Sequence, residues 1–283
     1  MHNNFFLIYI FLIVFVPKLK AQTKYDEEND VDIHWSYDDQ EHWPLVFCRN
    51  GTQQSPIPLS QNTSLLTDLK PLVIENFDEE YLLDVSQNGH TVVVEIPEDC
   101  YSEIPKLSGG KLTENYTLSS FHYHWPSEHT IEGIQYSLES HFVFFATKYV
   151  NYTEALKHPF GLTVIGVLYQ ETNYTESDNF EVIAEAVKET SGQLYTKVRT
   201  STPINLNDFL PSNQDIFFSY EGSLTTPNCS EYVNWIVFKD TSIIKNTYYM
   251  DLKHIKDENG TLLEFTNRDL QEINGRTINL QKS

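Results

Sequence analysis

Basic residues are scarce in this chain. Lys and Arg number 19 against 40 Asp and Glu in 283 residues, a formal charge of −21. A surface of that sign repels phosphates, which excludes nucleic acid as a partner, although it says nothing about fold. Long hydrophobic runs are also lacking. The apolar stretch 5–16 spans twelve residues, too short for a comfortable membrane span and suited to the core of a signal peptide cleaved after Ala21. Its flanking Lys18 and Lys20 follow the run instead of preceding it, so an uncleaved anchor is the alternative. The C-terminal residues 279–283 carry no apolar tail, which argues against a lipid anchor or a stable membrane anchor there. From about His34 onward no linker, repeat or low-complexity tract divides the chain, and there is no repetitive Asp tract. The expected organisation is a signal peptide at 1–21, an acidic lead-in at 22–32 and one domain over 33–283. Cysteine is sparse and odd in number: Cys48, Cys100 and Cys229 allow one pair and one spare. By itself that count does not choose the pair.

What the chain does hold agrees with export. Seven Asn-x-Ser/Thr sequons begin at Asn50, Asn62, Asn115, Asn151, Asn173, Asn228 and Asn259, the sixth a poor acceptor with Cys at its centre. Hydrophobic residues at 40% and aromatics at 13% suffice for a sizeable core. Alternating and apolar segments predict strands over 81–85, 91–96, 118–125, 137–146, 162–168 and 232–239. Residues 179–190 have helical spacing and close near Gly192. Many strands with one or two helices predict a single domain built on a large twisted sheet.

The histidine pattern carries the chemistry. On a strand, His122 and His124 point to one face, and His141 on a neighbouring antiparallel strand would complete three sides of a tetrahedron. Zinc held by three protein ligands with a fourth position open is the catalytic arrangement, whereas structural zinc is usually closed by four. Glu139, two residues before His141, shares its face and can accept the free ring N–H of a ligand histidine. A rival is His122-x-His124-x3-Glu128-x4-Gly133, which resembles the first metal motif of cupins, with Glu128 itself a ligand. Its spacing to Gly133 is short, and the later cupin motif is not visible after His141.

The segment Gly222-Ser223-Leu224-Thr225-Thr226-Pro227 discriminates. With Phe121-His-x-His-Trp125, Ser127-Glu128-His129-Thr130 and Glu139-x-His141, it resembles the α-class carbonic anhydrases. The resemblance extends through His34-Trp35-x-Tyr37, Glu41-His42-Trp43, Gln54-Ser55-Pro56, Asn88-Gly89-His90, Val233-x-Trp235-Ile236-Val237 and Asn274-Gly275-Arg276, about residues 33 to 278, in the family's order.

The resemblance implies a mainly β fold: a central twisted, mostly antiparallel sheet of about ten strands with peripheral helices. It implies zinc on His122, His124 and His141, and reversible hydration of carbon dioxide to bicarbonate and a proton by zinc-bound hydroxide. Thr225 would accept a hydrogen bond from that hydroxide and pass its own proton to Glu128. His90 matches the proton-shuttle position. Glu139, Ser120 and Asn267 match positions that support the ligands. Val143, Val164, Leu224, Thr226, Val233 and Trp235 match the substrate pocket. Cys48 and Cys229 match the disulfide of secreted members, which leaves Cys100 either buried and inert or linking two chains. Sulfonamide and anion inhibitors are expected to bind. There are departures. Ser120 stands where a longer Gln is frequent, Asn228 where a second proline follows, Val93 where a polar residue is common, and 267–270 lacks the usual aromatic and proline. The alternative function is a secreted, acidic anhydrase-like binding or matrix module with little catalysis.

Overall fold

The computed structural model describes residues 34–44, 46–97, 99, 103–174, 179–190 and 192–282. The expected signal peptide, the acidic lead-in and Cys100 lie outside the described residues. Residues Trp35–Ser283 form one compact unit, organised around a thirteen-stranded sheet. Ten strands make its continuous path. They run from Val198–Arg199 through Asp84–Gln87, Val92–Glu95, Tyr116–His124, Leu138–Ala146, Leu162–Thr172, Glu231–Phe238, Phe217–Ser223 and Asn279–Gln281 to Leu65–Thr67. Lys70–Glu75 and Lys106–Gly110 add to one flank of Tyr116–His124, and Ser242–Lys245 continues along Leu162–Thr172. Most pairings are antiparallel; Leu162–Thr172 with both Glu231–Phe238 and Ser242–Lys245, and Asn279–Gln281 with Leu65–Thr67, are parallel. The mainly β expectation is borne out.

Alternation along the central strands sorts two cores. Phe121, Tyr123, Phe142, Phe144, Ile165 and Val167 face one side, where they pack with Phe180, Ile183 and Val187 of the helix Asn179–Glu189. Their neighbours Val143, Val164, Val233, Trp235 and Val237 face the other. Because side chains switch faces at each residue, His122, His124 and His141 are committed to the second face by the aromatics that flank them. Register completes the arrangement by setting His141 opposite His122 and Glu139 opposite His124.

The six expected strands are present and differ mainly at their ends, whereas seven further strands of the sheet were not expected: Leu65–Thr67, Lys70–Glu75, Lys106–Gly110, Val198–Arg199, Phe217–Ser223, Ser242–Lys245 and Asn279–Gln281. The strand expected at 81–85 divides in two, because Glu80–Tyr81 pairs with Ile204–Asn205 before Asp84–Gln87 joins the main sheet. The strand expected at 162–168 continues to Thr172, where its polar end pairs with Ser242–Lys245. Among the unexpected strands, Phe217–Ser223 is an interior one whose apolar run is interrupted by Ser219, Glu221 and Gly222.

A disulfide joins Cys48 to Cys229 across 181 positions of sequence, as the resemblance implied. It ties the N-terminal region to the loop after Thr225, where the Pro227–Asn228 bond is cis although Asn228 is not proline. A crosslink closing so long a loop restricts the unfolded chain strongly. Its reduction should lower the unfolding free energy by about 2–5 kcal/mol, measured as a shift in denaturant midpoint. An unchanged midpoint would contradict this assignment of stability.

Candidate metal centre and catalytic cavity

The three histidines converge. Ring centroids of His122 and His124 are 5.0 Å apart, His122 and His141 5.2 Å, and His124 and His141 4.6 Å. One nitrogen from each lies within 4.8 Å of the others. Burial comes first among the causes that hold the three rings neutral. It pushes His122 well below its ordinary value, aided by its two neighbours, lowers His124 to about 4, and lowers His141 against the opposing pull of Glu139. Neutral imidazole is the form that binds a metal.

Neighbouring groups decide which nitrogen of two of these rings is left for a metal. His141 Nε2 donates to Glu139 Oε1 at 2.9 Å, which leaves Nδ1. His124 Nδ1 is bonded to the Thr266 carbonyl, which leaves Nε2, buried and without a partner. A buried orphan nitrogen facing two more is what an absent cation would satisfy. The donor set therefore fits zinc: three nitrogens from neutral rings, two fixed from behind, and a cavity on the fourth side. A second cluster, His129, Glu139 and His141, is different, because its donors and acceptors already satisfy one another.

Glu139 is that cluster's hub. Its two oxygens accept four N–H groups: His141 Nε2 at 2.9 Å, His129 Nδ1 at 2.7 Å, and the backbone of Glu128 and His129 at 2.9 and 2.8 Å. Burial alone would raise its pKa, but His129 and His141 reverse that and hold it well below the carboxylate range. Behind it, His129 Nε2 lies 2.7 Å from the Tyr220 hydroxyl, which lies 2.9 Å from Ser55 Oγ.

A cavity of about 190 Å³ opens in front of the histidines. It is lined by His90, Ser120, His122, His141, Val143, Val164, Leu224, Thr225, Thr226 and Trp235 of the expected site residues. Val233 does not line it; the residue is buried in the core cluster that contains Trp235. Ser120 reaches the cavity, yet no hydrogen bond joins it to the His122 ring. Asn267 is corrected by one position. The carbonyl that anchors His124 belongs to Thr266, while the Asn267 carbonyl accepts from Gln40 Nε2 at 3.1 Å. In an extended segment, adjacent carbonyls point to opposite sides, so a one-residue shift changes the partner.

Glu128 is fully buried and accepts the Arg268 backbone N–H at 2.8 Å through Oε1. Burial pushes its pKa up to about 7, while His141, the Thr225 side chain and the Arg268 N–H favour the carboxylate. Oε2 has no hydrogen-bond partner that meets normal geometry, although the neighbouring Thr225 side chain favours the carboxylate. His90 sits in the hairpin turn between Asp84–Gln87 and Val92–Glu95. There Asn88 Oδ1 accepts the His90 and Thr91 backbone N–H groups, and Gly89 supplies φ +83°. Its ring stacks on Trp35 at 3.8 Å, 9° from parallel.

The eukaryotic-type carbonic anhydrase family model matches residues 38–282. The chain belongs to that family. Among similar proteins are carbonic anhydrase 6 of Mus musculus, 32% identical over 264 residues covering 86% of this chain and 80% of the relative, and putative carbonic anhydrase 5 of Caenorhabditis elegans, 30% identical over 266 residues covering 89% and 83%. Carbonic anhydrase 6 of Bos taurus is 31% identical over 265 residues, covering 86% and 79%. This carbonic anhydrase family enzyme also uses residues that sequence reasoning did not single out for the site. Thr266 and Arg268 reach it through the backbone, which leaves no side-chain signature. His129, Trp35 and Tyr37 stood in the quoted motifs, and Tyr152 on the helix Tyr152–Ala155 carried no signal.

The position of Glu128 has a measurable consequence in chelator-treated protein. Its folded pKa lies above the unfolded value of 4.5, so its favourable contribution is complete at low pH and is lost as pH rises through about 7. Wild type should lose about 3 kcal/mol relative to Glu128→Gln between pH 4.5 and 7, read from urea unfolding of both proteins. The buried histidines act in the opposite direction in both variants; His141 is coupled to Glu128 and changes with it, so the difference reports the pair. Parallel pH profiles would contradict the assignment.

Proposed function

We propose that this enzyme catalyses the reversible hydration of carbon dioxide to bicarbonate and a proton, with zinc held by His122, His124 and His141. The observation that carries the reading is the convergence of three imidazole nitrogens, with His122 and His141 lining the cavity and His124 buried beside them, next to Thr225 and Glu128. Zinc, when bound, acidifies water to a pKa of about 7, an effect for which carbonic anhydrases are themselves the standard example.

The chain's own groups then have distinct tasks. Glu139 and the Thr266 carbonyl fix the rings of His141 and His124, so two ligand nitrogens are aimed before a metal arrives. Thr225 accepts a hydrogen bond from the attacking oxygen and donates its own hydrogen to Glu128. That direction requires the Glu128 carboxylate, because an ionised carboxyl only accepts; a cation in the site favours this form by opposing the burial penalty. Val143, Val164, Leu224 and Trp235 offer an uncharged substrate an apolar wall. Thr226 lines the cavity at the edge of that wall, and Val233 packs in the core cluster that contains Trp235. His90 takes the released proton toward solvent, because an imidazole titrates near neutrality. Anions and sulfonamides would compete at the same open position.

We also infer that the protein works outside the cell. The Cys48–Cys229 disulfide suits an oxidising compartment. Six of the seven sequon asparagines are exposed, all but Asn228, which supports glycosylation. No helix among the described residues is long and apolar enough to cross a membrane.

Stopped-flow measurement of carbon dioxide hydration tests the catalytic reading. Wild type should be fast and His141→Ala without activity above background, while Thr225→Ala should lose about 10²-fold or more. In weak buffer His90→Ala should fall by up to about 10²-fold and recover with added imidazole. A zinc-loaded wild type that does not hydrate carbon dioxide would favour the binding or matrix module instead.

A further inference from the structure

On the flank of the sheet, the strand Lys70–Glu75 pairs only with Lys106–Gly110 among the described residues, so its outer edge is open. Register shifts between Lys70 and Leu72, opposite Gly109 and Gly110. Gly109 is required there: its φ is +85°, and a Cβ would come within 2.0 Å of the Pro71 carbonyl oxygen. Bare of side chain, this end of the ribbon forms the floor of an open groove of roughly 630 Å³, within the range of about 300–1,000 Å³ that holds small ligands. Lys70, Pro71 and Val73 line one wall, and the turn running from Leu112 to Asn115 the other. Val73 is 47% exposed, an apolar residue on an unpaired edge. Such edges invite association with other chains and are usually covered or blunted.

Asn115 begins the sequon Asn115-Tyr116-Thr117 and lies in the wall of this groove. Its side chain is exposed and makes no hydrogen bond among the described residues. By contrast, the Asn151 side chain is occupied in capping the helix Tyr152–Ala155, where it accepts from Glu154 N at 2.9 Å. We propose that Asn115 is a site of N-glycosylation whose innermost sugars lie in this groove and cover the open edge at Val73. This rests on the reading that the chain is exported. In the modification, the Asn115 amide nitrogen forms a bond to C1 of the first sugar of a lipid-diphosphate-linked oligosaccharide. The C1–diphosphate bond breaks, and the amide proton leaves with the diphosphate-lipid. Once attached, the sugar cannot diffuse from the groove, so weak contacts suffice: an apolar ring face on Val73 and Pro71, with hydroxyls toward Ser108 and Lys70.

The full chain secreted from cultured eukaryotic cells provides the test, by glycopeptide mass spectrometry and amide hydrogen exchange. Asn115 should be occupied. Asn115→Gln should speed exchange several-fold in peptides covering 70–75 and 106–115, whereas Asn62→Gln should leave those peptides unchanged. Trimming to a single sugar with an endoglycosidase should retain the protection. Val73→Ser, which keeps the sequon, should lose part of it. Unaltered carbon dioxide hydration by both groove variants would establish that they are folded. Sugars on other sequons with Asn115 bare would overturn the proposal alone, as would an occupied Asn115 whose loss leaves exchange unchanged. A chain that stays inside the cell without any sugar would overturn the export reading together with it.

Discussion

One buried carboxylate holds this site together. Glu139 is completely enclosed and takes N–H groups from two imidazoles and two backbone amides. Burying a charge is expensive unless every lone pair is answered, and here each oxygen has two donors. The charge in turn orders what surrounds it. It chooses which His141 nitrogen faces the cavity, sets the direction of the chain at 128–129, and fixes the His129 ring against Tyr220. Glu128, one residue from that clamp, is thereby delivered to the centre. Even the neighbouring strand is shaped by it: a Cβ on Gly166 would stand 2.9 Å from Glu139 Oε1. Replacing either imidazole leaves a charge in the core with a donor missing.

A second set of contacts works on the loop carrying Thr225. Arg268 is buried under Trp43, and its guanidinium reaches Gln54 Oε1 and the carbonyls of Ser55 and Cys48 at 2.9–3.1 Å. Gln54 Nε2 passes the link to the Cys229 carbonyl at 3.1 Å and to Glu231 at 3.0 Å. Arg268 therefore acts twice, presenting its amide to Glu128 and its side chain to the wall that supports Thr225. Burial lowers its pKa to about 10, still far above neutrality, so the charge persists at working pH. The disulfide runs alongside this relay.

Sequence alone made some of this legible and not the rest. The His122/His124 spacing placed two rings on one face because a strand has period two, and the aromatics between them fixed which face. The strands that carry ligands have long, β-branched or aromatic runs. Phe217–Ser223 lacks that pattern because its Gly222 and Ser223 serve close packing against Ser55 instead of strand propensity. The role of Thr266 escaped for another reason. A carbonyl acceptor can come from any residue type, so only the fold reveals which residue lies behind His124. Val233 shares a strand face and a core cluster with Trp235 yet lies outside the cavity, which strand alternation alone does not reveal.

The partners of His124 and Glu128 lie at residues 266 and 268, and the strand Asn279–Gln281 inserts between Phe217–Ser223 and Leu65–Thr67. These pieces follow the ligand strands in the chain and are synthesised after them. At roughly 5–20 residues per second, the ligand strands leave the ribosome many seconds before the segment that orients them. For that interval the histidines exist without their acceptor and the sheet without one of its interior strands. The surroundings of the three histidines are therefore complete only after residues 266–268 have been made.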